Sequence, residues 1–97
     1  MSSISIYSRL KDNRENISKI ISRVTGGEIL DLDYMVDSTS YGRTVVTIFV
    51  VVPAKVKRQY DMDMNLFLDK YDDTIRYVIS SFGLSDIFKN TIKYMVL

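Results

Sequence analysis

The chain has 97 residues, with 13 Lys and Arg against 12 Asp and Glu. It has neither His nor Cys, which excludes disulfides, zinc sites of the Cys/His kind, thiolate nucleophiles and histidine acid–base chemistry. A hydrophobic share of 46 % and a charged share of 26 % are those of a globular protein, and the length suits one domain over residues 1–97.

The first stretch, "SSISIYSRL", sets Ile4 and Ile6 against Ser3, Ser5 and Tyr7. That alternation predicts a short strand, although Ile4, Tyr7 and Leu10 would also suit a helical stripe. "KDNRENISKIISRVTGG" predicts a helix with both ends marked. Asp12 or Asn13 can cap it, Asp12 and Glu15 have capping-box spacing, and Ile17, Ile20, Ile21 and Val24 share a face. Gly26 and Gly27 permit the left-handed turn that ends it.

"EILDLDYMV" alternates again, with Leu30, Leu32, Tyr34 and Val36 on one side and Asp31, Asp33 and Met35 on the other. A strand of that kind is half buried and suits a sheet edge, where charge discourages unwanted pairing. "DSTSYG" is turn chemistry and "RTVVTIFVVVP" the next strand, so 28–53 is expected to form a β-hairpin that Pro53 ends, having no N–H to donate. After the basic "AKVKRQY", the residues Phe67, Tyr71, Ile75, Val78, Ile79 and Phe82 recur at helical spacing. Asp61 or Asp63 supplies the start of that helix and Gly83 its stop. "NTIKYMVL" then sets Ile92, Tyr94 and Val96 against Lys93, Met95 and Leu97, the pattern of a closing strand, with a helix continued from Ser85 as the alternative.

In order these elements read β-α-β-β-α-β. The expected fold is α+β and ferredoxin-like: a four-stranded antiparallel sheet with two helices on one face. The most apolar strand, 43–52, falls in the centre of that layout. Its alternation assigns Val46, Ile48, Val50 and Val52 to the helices and leaves Val45, Thr47, Phe49 and Val51 on the open face, with Tyr7 beside them. An apolar open face predicts a binding surface. The interface residues expected from sequence are therefore Tyr7, Val45, Thr47, Phe49 and Val51, serving a homodimer or higher homo-oligomer and an unidentified protein partner. Charge supports this, because 28–42 holds acids without a base and 43–60 bases without an acid, blocks that can neutralise one another between copies.

Two alternative chemistries have candidate residues. Arg43, Lys55, Lys57 and Arg58, with Tyr41 and Tyr60 at the ends of the segment, could track a nucleic-acid backbone and stack on bases. Their layout resembles the RNA-recognition motif only in topology, since "YGRTVVTIF" places Val45 and Thr47 where that family has aromatics. Asp31, Asp33 and Asp37 could hold a hard cation for phosphodiester chemistry, as a nuclease-like enzyme would need. Pro53 stands where a carboxylate would precede Lys55 in such a site, and "DMDMN" lacks the spacing of an EF-hand loop. "IYSRLKDNRENISKII" and the following hairpin are similar in layout to ACT-type domains, with Arg14 and Glu15 in place of the glycine those domains use against ligand.

No basic leader precedes a long apolar run, and the longest uncharged one, Val45 to Ala54, is too short to cross a bilayer as a helix. The sequence therefore predicts a cytoplasmic, non-enzymatic accessory or regulatory protein, without cofactor or membrane partner, that acts by self-association and macromolecular binding.

Overall fold

A computed structural model of the chain describes residues 3–38, 41–42, 44–61, 63–84 and 91–97, with side chains from Ile6 onward save those of 37, 38 and 44. Seven elements follow in order: α1 (Ser3–Asp12), α2 (Arg14–Val24), β1 (Asp31–Ser38), β2 (Thr44–Val52), α3 (Ala54–Gln59), α4 (Met64–Ser80) and β3 (Thr91–Val96).

The opening segment is a helix, not a strand. Ile6 and Leu10, four apart, are both buried, so the helical stripe outweighs the period-two alternation. Helical bonding then runs on through Asn13, whose N–H donates to Arg9 O at 3.1 Å while Asn13 O accepts from Ile17 N–H at 3.0 Å. The expected capping box does not form. Asn13 makes no side-chain cap to α2 and instead donates its amide back to Arg9 O at 2.8 Å. At the far end Gly26 and Gly27, with φ of 63° and 82°, turn the chain, and Gly27 N–H reaches back to Ser22 O at 2.8 Å.

With no strand at the start, the sheet has three strands in the order β1-β2-β3. β1 pairs antiparallel with β2 in the expected hairpin; β3 pairs with β2 in parallel. This mixed sheet with four helices corrects the four-stranded antiparallel ferredoxin-like expectation. The place beside β2 left vacant by the helical N-terminal segment is taken by β3. Reaching it in parallel requires a crossover, which α3 and α4 supply.

Pro53 closes β2 and opens α3: it occupies the N-cap position, and Val56 N–H donates to its carbonyl at 3.0 Å. α4 starts where Asp63 accepts from Asn65 N–H at 3.0 Å. All described helices of the core lie on one side of the sheet, with α1 and α2 toward β1 and α4 toward β3. Between the layers sit Leu32, Val46, Ile48, Val50 and Val52 from the sheet, against Leu10, Ile17, Ile21, Phe67, Ile75 and Ile79.

Tyr34 belongs to this core at 4 % exposure, yet its hydroxyl has no partner among the described residues. Burial pushes that phenol well above its ordinary range. Because an unpaired buried hydroxyl costs free energy, Tyr34→Phe is expected to leave stability unchanged or raise it by about 1 kcal/mol. The urea midpoint checks this; a clear loss would reveal a partner for the hydroxyl.

Candidate interaction surface

Strand register sets out the sheet face opposite the helices. Row by row it carries Asp31, Val51 and Met95; then Asp33, Phe49 and Lys93; then Met35, Thr47 and Thr91; and finally Val45, which is opposite Asp37. The split of β2 follows its alternation. Val46, Ile48, Val50 and Val52 are buried, whereas Val45 is exposed and Thr47, Phe49 and Val51 are half-buried. Met35 at 54 % and Met95 at 44 % exposure extend the apolar surface to both flanking strands. Three of the four interior β2 residues expected on this face are apolar, and no described helix covers them.

The two edges of the sheet differ sharply. On β1, the outward main chain of Leu32 is occupied by side chains of α2: Leu32 N–H donates to Ser18 Oγ at 3.1 Å, and Leu32 O accepts from Arg14 Nε at 2.7 Å. Four residues apart on one helix, Arg14 and Ser18 reach the same strand position and act as substitutes for a neighbouring strand. Asp31 locks them in place, accepting from Ser18 Oγ at 2.5 Å and from Arg14 Nη2 at 2.8 Å. Arg14 also lies 3.6 Å from Asp33, as does Lys11.

These contacts fix the charges. The hydrogen bond to Asp31 raises the Arg14 guanidinium, outweighing its partial burial. Burial alone would raise the Asp31 carboxyl, but the hydrogen bonds from Ser18 and Arg14 prevail and hold it below its ordinary 3.8. An open groove of about 770 Å³ runs beside this clasp, lined by Lys11, Arg14, Ser18, Ser22, Arg23 and Leu30 among others.

β3 has no such guard among the described residues. Leu97 N–H donates inward to Val52 O at 2.9 Å, and strand alternation then turns the N–H and C=O of Ile92, Tyr94 and Val96 away from β2. None of these outward groups has a partner among the described residues. Every side chain of the strand is exposed except Ile92, which is half-buried.

Comparison with protein-family models, with curated proteins and with solved structures finds no match. The surface must therefore be read from its own chemistry.

The remaining sequence-derived candidates are dispersed. Tyr7 stands on α1 and packs against the core from the helical side, so it does not belong to the open face, because its segment is helical. Arg43 and the side chain of Asp37 lie outside the described residues. Tyr41, 91 % exposed, stands at the hairpin turn, separated by the length of β2 from Lys55, Lys57 and Arg58 on α3. Lys57 is engaged with Asp61 at 3.1 Å. Tyr60 packs edge-on against Phe67, with 5.3 Å between centroids, rather than facing solvent for base stacking. The link between α3 and α4 reads Tyr60-Asp61-Met62-Asp63 and lacks the glycines of a GXXG loop that clamps a nucleic-acid backbone.

Asp31 and Asp33 are taken up by Arg14, Lys11 and Ser18, and no group of acidic residues suited to a metal occurs among the described residues. Nor is any described helix long and apolar enough to cross a membrane. Sequence reading missed Arg14 and Ser18 as edge ligands and the β3 residues Lys93, Tyr94 and Val96. The first pair has a signal in its spacing of four; the second depends on knowing which strand is at the edge.

Proposed function

We propose that this is a small, non-enzymatic accessory or regulatory protein that works by self-association and by holding a macromolecular partner on its sheet. One observation carries the reading: the sheet presents a face, with Val45, Phe49, Val51, Met35 and Met95, that no described helix covers and that adjoins an edge strand without an outward partner among the described residues. Burying even ~300 Å² of such surface is worth several kcal/mol at about 25 cal/mol per Å², before the entropy of association is subtracted. The helical side, by contrast, is occupied by the protein's own core.

Two measurements test it. Light scattering over a hundredfold concentration range is expected to show a mass above that of one chain; a monomer throughout removes self-association. An apolar fluorescent dye is expected to bind the folded protein and to lose that binding in Phe49→Asp, whose circular dichroism stays native. Dye that ignores the folded wild type would mean that the face is closed, and would remove it as a surface for a different macromolecule.

A further inference from the structure

We infer that the self-association takes place through β3, two copies pairing antiparallel about Tyr94 so that two three-stranded sheets become one of six strands. The inference rests on the self-association reading above and names its partner as a second copy of this chain.

The edge itself sets the parity. Ile92, Tyr94 and Val96 turn their main-chain groups outward, so a two-fold axis at Tyr94 brings together residues that all face the partner. Tyr94 meets Tyr94, and Ile92 meets Val96, each pair exchanging both hydrogen bonds. The strand "IKYMV" is close to palindromic about its centre: a β-branched residue faces a β-branched one, and an aromatic faces an aromatic.

Charge selects this register over its neighbour. A shift that centres the axis on Lys93 places two ammonium groups directly opposite each other, whereas the Tyr94-centred one sets each Lys93 beside Met95 of the other copy. β3 has no acidic residue to offset such a clash.

The other edge explains why the assembly closes. Pairing β3 of one copy with β1 of the next would be head-to-tail and could propagate into a filament. That route is obstructed over the first half of β1, because Ser18 and Arg14 already occupy the main chain of Leu32, while Asp33 takes the N–H of Tyr34 at 2.8 Å. Among the described residues β3 offers the longer run of outward main chain without a partner, and an edge that pairs with itself yields a two-fold dimer. Such a strand pair buries less than the roughly 1,000 Å² of a stable interface, so association is expected to depend on concentration in the accessible range. The open faces of both copies lie side by side on one surface of the joined sheet, free for the macromolecular partner.

Light scattering on three variants decides it. Tyr94→Pro removes an outward N–H at an edge position where proline is tolerated, so a folded monomer is expected. Met95→Glu sets a carboxylate opposite each Lys93 of the other copy and is expected to tighten the dimer roughly two- to thirtyfold, while Met95→Lys loosens it by a similar factor. If both Met95 variants loosen the assembly and Tyr94→Pro leaves its mass unchanged, the copies meet face to face: edge pairing is overturned while self-association stands. A wild type that is monomeric at every concentration overturns both.

Discussion

Replacing Phe67 by alanine is expected to cost about 3–5 kcal/mol, the range for deleting a buried aromatic ring and leaving a cavity. Phe67 is fully buried and is gripped on two sides, edge-on to Tyr60 at 5.3 Å and to Tyr71 at 5.1 Å between centroids. Tyr60 follows α3, and Tyr71 hydrogen-bonds Glu28 at 2.7 Å, in the turn after α2. The ring therefore holds together the crossover that carries the chain from β2 to β3. A domain of this size has a total stability of about 5–15 kcal/mol, so the loss is a large fraction of it. Chemical denaturation should show a matching fall in midpoint, and a change under 1 kcal/mol would mean that the ring is not packed as described. Phe67→Leu, which keeps most of the volume, should recover much of the loss.

Second in size is the β1 clasp. Arg14→Ala removes the donor to Leu32 O and the ion pairs to Asp31 and Asp33. The pairs are partly exposed, which discounts their Coulombic part, so about 1–3 kcal/mol is expected, most of it from groups left without a partner. A second effect separates this from a generic surface truncation: with Leu32 O released, the β1 edge can accept a strand, and the variant is expected to form species larger than the wild type.

The same clasp gives stability an acid limb. Asp31 is held below 3.8 when folded, so the unfolded chain binds more protons as pH falls through that region. Its contribution is fully present above the ordinary carboxylate pKa and is lost as pH drops through the folded value. Arg14→Ala should flatten that limb; an unchanged pH profile below about pH 4 would mean that Asp31 does not depend on Arg14.

What could be read from sequence was local. The alternation of Leu32, Tyr34, Val46, Ile48, Val50 and Val52 identified the hairpin and its buried face, because a period of two leaves one choice once a face must be apolar. Phe67, Ile75 and Ile79 identified α4 in the same way. The N-terminal segment failed because Ile4 and Ile6 fit a strand while Ile6 and Leu10 fit a helix; only the core, which both of the latter enter, decides. α3 escaped the sequence reading, in which Pro53 only ends the hairpin and 54–60 is only a basic stretch; with Val56 its one buried residue it has little periodicity to detect. Strand direction was beyond reach. Alternation within 91–96 gives a strand, and nothing in it says which neighbour the strand joins or which way it runs. The open face was thus legible in β2, while the unguarded edge was not.

The parallel pairing of β3 with β2 also orders the folding process. β1 and β2 are joined by a turn of a few residues, whereas positions 53 to 90 separate β2 from β3. Closing the longer loop is entropically dearer and slower. The hairpin is therefore expected to form ahead of the last ladder, and for that interval the flank of β2, the most apolar strand in the chain, would be bare. Yield on refolding is consequently expected to follow a race between intramolecular docking of the C-terminal strand and collision with another unfinished chain, and to rise on dilution.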